Sequence, residues 1–268
     1  MTRGRRTMLW AALIAGYAFL YVPIALLIVY SFNESRLVTV WTGFSTRWYG
    51  ALMQNERILE AAGLSFAVAA ASATLALVIG TLAGFALARY GRFRLRWLFA
   101  CLLAAPLVMP EVITGLSHLL MFVMLDTALG WPPRGFGTIV AAHATVAVPF
   151  VAVVVQARLS GMDRAVEEAA SDLGAPPLTV FAHVTLPMLM PALAAGWLLA
   201  FTLSLDDLVI ASFVSGPGAT TLPMVVFSSV RLGLSPQVNA LAAIIVLVVT
   251  GLALVAVWID RRFGNRRT

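Results

Sequence analysis

Long apolar runs alternate with short polar stretches along the whole chain, and the runs set the first expectation. A helix crossing roughly 30 Å of hydrocarbon needs about 20 apolar residues. Six segments meet that length: 8–30, 61–87, 97–125, 138–157, 187–214 and 238–259. Each must be helical, because a backbone amide left unpaired in lipid costs several kcal/mol. Segments 97–125 and 187–214 are longer than the bilayer requires, so tilt, a kink or extension beyond the membrane is expected in both. The pattern predicts an all-α integral membrane fold of six transmembrane helices. It predicts a single domain over 1–268, since no polar stretch is long enough to fold separately.

Composition sharpens this picture. The chain is 61% hydrophobic and 11% charged, against roughly 45–50% and about 25% for soluble domains. Its net charge of +6 does not point to nucleic acid, because the arginines flank apolar segments and do not gather on one polar domain. All 18 basic residues are arginine. Without lysine there is no Walker A phosphate loop, so the chain does not hydrolyse ATP by that route. Cys101 is the sole cysteine and lies in an apolar run, with no intrachain disulfide partner. His118, His143 and His183 show no ligand spacing and read as packed or exposed histidines, with no metal and no cofactor implied. No paired nucleophile and base suggests a membrane enzyme. The opening MTRGRR with its apolar run Met8–Tyr30 exceeds a signal-peptide core of about 7–15 residues and lacks a small-residue cleavage site, so it reads as a retained span.

Arginine asymmetry predicts orientation. Thirteen fall on one side (Arg3, Arg5, Arg6, Arg89, Arg92, Arg94, Arg96, Arg158, Arg164, Arg261, Arg262, Arg266, Arg267) and five on the other. The positive-inside rule puts both termini in the cytoplasm. The first external loop, about residues 31–60, carries WTGFSTRWYGALM (Trp41–Met53). It reads as a headgroup belt of Trp and Tyr, with a docking surface for an external partner as the alternative. Tyr17, Tyr21 and Tyr30 read as packing or belt residues. In the second span, Gly80-x-x-x-Gly84 permits close helix approach.

The stretch EEAASDLGAPPLTVFAHVTLP (Glu167–Pro187) is unusual between two greasy spans. Ser160 can cap a helix, with Asp163 as the acidic half of a capping box. Val166, Ala169, Ala170 and Leu173 then form one apolar stripe at helical spacing. Gly174 stands where a left-handed C-terminal residue is wanted, and Pro176 and Pro177 suit the start of a second short helix, about Leu178–Val184. The acidic character of Glu167, Glu168 and Asp172 argues against a helix lying on anionic lipid. A projecting helix that docks into a partner's groove accounts for both stripe and acids.

Glu168-Ala169-Ala170, three residues, Gly174, nine residues, then Val184-x-Leu186-Pro187 resembles the EAA motif of ABC importer permeases, with Val184 where isoleucine is usual. The resemblance implies that the loop 158–186, between the fourth and fifth spans, is a coupling helix seated in an ATP-hydrolysing subunit. Glu168, Ala169, Ala170, Gly174, Leu186 and Pro187 would be its ATPase-coupling residues. The segments Ser204–Pro236 and Ala105–Ser117, and the first span with its loop, resemble the polyamine branch of that family, and within it the second permease subunit of putrescine importers. The implied partners are a second permease subunit in a heterodimer, two ATP-binding subunits, a periplasmic polyamine-binding protein, the polyamine itself and membrane lipid, with no nucleic acid. The implied location is the bacterial inner membrane.

Independently of that resemblance, Glu111, Asp206 and Asp207 fall inside apolar runs. An ionised carboxylate at the bilayer centre costs about 2.5–3.5 kcal/mol or more, so it should face a cavity or a partner helix, or be protonated. At about 1.5 Å per residue, Glu111 and Asp206 fall in the middle to outer part of the membrane. Aliphatic polycations need carboxylates to replace water around each ammonium group and apolar walls for the methylenes. Glu111, Asp206 and Asp207 supply the acids of a candidate substrate path, and Trp197 and Phe201 a cation–π wall. Adjacent aspartates on a helix lie about 100° apart, so one would face the path while the other bonds Thr202, Ser204 or a neighbouring helix. The plainer readings are a kink-satisfying Glu111, structural aspartates, and lipid-facing or core aromatics. The alternatives for the whole chain are an ABC permease for another small cargo, or an ion-coupled secondary transporter with the acids as proton or sodium sites.

Overall fold

The computed structural model describes residues 3–37, 40–91, 93–232 and 236–263. Arg92, Arg266 and Arg267, used for orientation, lie outside them. All regular structure among the described residues is helical, apart from one isolated antiparallel bridge, Asn33 to Phe44. The helices are α1 (Arg3–Tyr30), α2 (Arg47–Met53), α3 (Glu56–Arg89), α4 (Arg96–Val108), α5 (Glu111–Leu129), α6 (Phe136–Ser160), α7 (Ala165–Asp172), α8 (Pro177–Val180), a π-helical turn (Phe181–Thr185), α9 (Leu186–Leu205), α10 (Val209–Val214), α11 (Leu222–Leu232) and α12 (Pro236–Phe263). Five helical stretches are long and apolar enough to cross a membrane: Met8–Tyr30, Glu56–Arg89, Glu111–Leu129, Phe136–Ser160 and Pro177–Leu205.

The two over-long apolar runs are broken. The run 97–125, expected as one span, divides into α4 and α5 at Met109–Pro110. Pro110 pushes the preceding residue out of the helical region, and Met109 is extended at φ −75°, ψ 136°. The run 187–214, also expected as one span, ends its helix at Leu205 and resumes at Val209. Sequence reasoning also missed α11, which follows the glycine- and proline-rich turn after α10.

The chain divides into two compact units, Met1–Leu59 with Val226–Thr268, and Glu60–Val225. In the first, α12 packs against α1 and α2. Its loop is built on Asn33. The Asn33 Nδ2 donates to the Val40 carbonyl at 2.7 Å, its Oδ1 accepts from the Thr42 and Ser35 amides, and its own carbonyl accepts from Trp48 Nε1 at 2.7 Å. Tyr49 Oη pairs with Ser31 Oγ at 2.7 Å, and Phe32 stacks on Phe44. The expected aromatic belt is therefore corrected at Trp48 and Tyr49. Trp48 is buried as the peg that holds the loop, because an indole N–H buried with its ring needs an acceptor. Trp41 remains exposed, edge-on to Tyr30.

In the second unit α6 is the central helix. Ile139, Ala142, Ala147, Val151, Val155 and Leu159 are buried along its length. Ala147, Val151, Val155 and Leu159 form one core with Ala73 and Ala76 of α3 and Leu189, Leu193 and Ala200 of α9. Ile139 and Ala142 form a second with Val68 of α3, Phe122 of α5 and Ile210, Ala211 and Val214 of α10. The Gly80-x-x-x-Gly84 reading holds. A Cβ at Gly80 would sit 2.7 Å from Val151 Cβ, and one at Gly84 would sit 2.6 Å from the Ala152 carbonyl oxygen. Only hydrogen at these positions lets α3 and α6 come this close.

Candidate functional site

The polar loop begins later than its sequence suggests. Ser160, expected as a cap, is the last residue of α6, and α7 starts at Ala165. Asp163 lies just ahead of the N-cap residue Arg164, and its Oδ1 accepts the Ala165 amide at 2.9 Å. The end of α7 is as expected. Gly174 is left-handed at φ +86°. Its amide donates to the Ser171 carbonyl at 2.9 Å, and the Ala175 amide to the Ala170 carbonyl at 3.2 Å. This pair of bonds is the Schellman arrangement, which closes the last turn and redirects the chain.

The second short helix was expected to stand alone over Leu178–Val184. Instead α8 enters α9 through the π-helical turn, in which the Leu186 amide donates five residues back to Phe181. Pro187 explains the widening. It has no N–H for the His183 carbonyl, and its ring would collide with that carbonyl in a regular helix. Leu186 and Pro187 thus sit at the root of α9. Glu168, Ala169 and the stripe residues Val166 and Leu173 are exposed, and Ala170 is half-buried. Leu173 is 90% and Leu178 83% exposed, so the chain leaves these apolar side chains uncovered beside the elbow.

The loop is nevertheless tied down from within. Glu167 Oε1 accepts from Arg89 Nη2 at 3.1 Å and from Thr185 Oγ1 at 2.9 Å. Arg164 Nη2 donates to the Ala88 carbonyl at 2.9 Å, and Arg96 Nη2 to the Leu87 carbonyl at 2.7 Å. These arginines satisfy carbonyls at the end of α3 that have no intrahelical donor. Sequence reasoning placed Arg89 and Arg96 only as orientation markers and expected Arg164 to pair with Glu168 four residues on. Arg164 reaches the Ala88 carbonyl instead, and no local pattern joins Glu167 to an arginine 78 positions away.

The acids of the apolar runs sit at the helix breaks. Asp206 and Asp207 are not on a helix, so the argument from a 100° helical offset is corrected: they occupy the gap between α9 and α10. Asp207 Oδ1 accepts the Ala211 amide of α10 at 2.8 Å and lies 3.3 Å from His143 Nε2 on α6. His143 Nδ1 is 2.7 Å from Ser204 Oγ. Asp207 therefore binds a neighbouring helix, and Ser204 serves the histidine. Thr202 turns its hydroxyl back onto the Leu198 and Leu199 carbonyls of its own helix. The Asp206 side chain is exposed, with its own backbone amide as hydrogen-bond donor. Glu111 opens α5, where a carboxylate suits the exposed amides of a first turn, and its side chain makes no hydrogen bond or ion pair among the described residues. It is not brought into contact with either aspartate. Its helix does pack on α10, and Gly115 of α5 admits the Phe213 ring. His143 was read as a merely packed histidine; its role at the break was missed.

Trp197 stacks on Phe201 with ring centres 5.1 Å apart, and Trp197 Nε1 donates to Thr74 Oγ1 on α3 at 3.1 Å. Phe66 of α3 extends the group at 6.1 Å from Phe201. Trp197 and Phe201 flank the α3–α6–α9 core, half-buried, while Phe66 is exposed.

Comparison with known proteins bears on these features. The family model described as "Binding-protein-dependent transport system inner membrane component" matches residues 76–268. The putrescine transport system permease protein PotI of Escherichia coli (strain K12) is 57% identical over 256 residues, covering 95% of this chain and 91% of that protein. The spermidine/putrescine transport system permease protein PotC of the same strain is 46% identical over 229 residues, covering 85% of this chain and 84% of that protein. Among solved structures, a chain of a bacterial alginate ABC transporter in complex with an alginate pentasaccharide-bound periplasmic protein matches with a TM-score of 0.74 at 16% identity. That match covers 96% of this chain and 93% of the other, a likeness of fold.

Proposed function

This chain belongs to the family of binding-protein-dependent transport system inner membrane components, and from that premise we propose that it is the polyamine-translocating permease subunit of an ABC importer, with putrescine as cargo. It is a multi-pass inner-membrane protein, and its family is one of transport components rather than enzymes. The observation that carries the cargo assignment is the 57% identity to a putrescine permease across 95% of the chain. The finer reading has six spans in one transmembrane domain and both termini in the cytoplasm. Its partners are a second permease subunit, two ATP-binding subunits and a periplasmic polyamine-binding protein.

The engine is external, since a chain with no lysine carries no Walker A loop. In this reading the uncovered Leu173 and Leu178, with Glu168 beside them, enter a groove of an ATPase subunit, as an amphipathic helix enters a partner's cleft. The Schellman turn at Gly174 keeps that projection rigid. Closure of the ATPases then biases the membrane helices between inward- and outward-facing states. Putrescine is a flexible aliphatic dication. Its ammonium groups exchange water for carboxylates, and the carboxylates at the two helix breaks, Asp206 and Glu111, which make no ion pair among the described residues, suit that exchange. Trp197 and Phe201 present ring faces to the methylene chain or to a cation. Breaks in membrane helices are tolerated where they line a cavity or are buried in protein, which fits acids placed there.

The test is reconstitution of this chain with its partner permease, ATPase subunits and binding protein in proteoliposomes, with labelled putrescine, spermidine and an unrelated anion. ATP-dependent accumulation of putrescine in preference to the others is the expected result. Accumulation by this chain alone under an ion gradient would overturn the assignment in favour of a secondary transporter.

A further inference from the structure

The acids of α7 point in different directions. Glu168 and Asp172 are exposed, whereas Glu167 turns inward. Its carboxylate binds the Arg89 guanidinium through Nη2 at 3.1 Å, Arg89 Nε lies 3.1 Å from Oε2, and Thr185 Oγ1 donates to Oε1 at 2.9 Å. The Arg89 and Glu167 side chains are only 10% and 18% exposed. One carboxylate thus joins three elements: α7, the last residue of α3, and the π-helical turn at the root of α9. Two further contacts run alongside it, from Arg164 to the Ala88 carbonyl and from the Phe85 ring edge-on to Phe181 at 5.4 Å.

A charge-assisted contact in a mostly buried crevice is directional, so it passes on displacement where a loose surface contact would slip. The π-helical turn is the natural receiver, because a turn already wider than the α-helix can change its pairing without breaking the helix. The receiving helix α9 ends at the break that holds Asp206 and Asp207, and α3 lies against α6, which carries His143.

We infer that Glu167 is the positioning residue that transmits movement of the loop to α3 and α9, a task separate from the docking performed by its neighbour Glu168. The inference rests on the reading of this loop as the ATPase contact. On this view docking and transmission belong to adjacent carboxylates about 100° apart on one short helix. Loss of the first leaves no complex, and loss of the second leaves a complex that burns ATP without moving cargo.

The experiment uses the full complex in proteoliposomes and reads ATPase copurification, putrescine uptake and ATP hydrolysed per putrescine imported. Glu167→Gln should copurify with the ATPase as the unmodified chain does, while ATP consumed per putrescine rises about fivefold. Thr185→Val removes one hydroxyl at nearly constant volume, guards against a folding defect, and should raise the ratio about twofold. The exchanged pair Arg89→Glu with Glu167→Arg should recover part of the coupling that either single reversal loses. An unchanged ratio in both Glu167→Gln and Thr185→Val would overturn the inference, as would loss of copurification in Glu167→Gln, which would make Glu167 part of the docking face. Undiminished copurification in Glu168→Arg would instead overturn the underlying docking assignment.

Discussion

His143 Nε2 on α6 stands 3.3 Å from Asp207 Oδ1 in the gap between α9 and α10, with side chains 2% and 11% exposed. The same oxygen accepts the Ala211 amide, and the other ring nitrogen is held by Ser204. The pair divides two adjacent aspartates into different tasks. Asp207 anchors the break of the fifth apolar run to α6, and Asp206 beside it is left exposed. A buried carboxylate with a specific partner costs less than one without, which is how a membrane helix tolerates this position.

His143→Ala removes the shared partner of Asp207 and Ser204 and leaves both short of a contact in a largely buried site. It should destabilise the protein by about 1–3 kcal/mol. A lower Tm of the detergent-solubilised complex checks this, with His143→Gln closer to the unmodified protein because an amide can still reach both neighbours.

Asp206→Asn should leave expression and Tm unchanged while raising the apparent KM for putrescine uptake about tenfold, the effect of removing one charge-assisted contact worth about 1.5 kcal/mol. Asp207→Asn should lower both Tm and uptake. Kinetics and thermal unfolding on the same preparations separate the two, and equal behaviour of both variants would refute the division of tasks.

Glu168→Arg places a cation on the exposed face of α7. It should reduce copurification of the ATPase subunits at least tenfold at normal expression of this chain, because a reversed charge in an interface costs several kcal/mol. Quantitative pull-down at two salt concentrations checks it.

Gly174→Ala keeps the loop length but puts a side chain on a backbone at φ +86°. The cost is about 1–2 kcal/mol. It should appear as weaker ATPase copurification with the membrane helices intact, since the Schellman turn belongs to the loop alone.

Gly84→Leu drives a side chain into the Ala152 carbonyl across the α3–α6 contact, where even a Cβ would lie 2.6 Å away. Loss of folded protein in size-exclusion chromatography is expected, with Gly80→Leu behaving alike.

What the sequence by itself determined is local. The apolar runs, the end of α7 at Gly174, the close approach allowed by Gly80 and Gly84, and the exposed stripe of Val166 and Leu173 all follow from signals acting within a helical turn or two. Proline signals of the same range, Pro110 and Pro187, account for the broken third run and the widened turn before α9, though the run lengths alone predicted only tilt, a kink or extension beyond the membrane. Tertiary structure decided which charges meet. Asp207 finds His143 only because α10 packs on α6, Glu167 finds Arg89 only because the loop folds back on the end of α3, and Trp48 finds the Asn33 carbonyl only once its loop closes. A helix periodicity fixes what each face carries, but two polar groups tens of residues apart pair only where packing leaves them no water to bind instead.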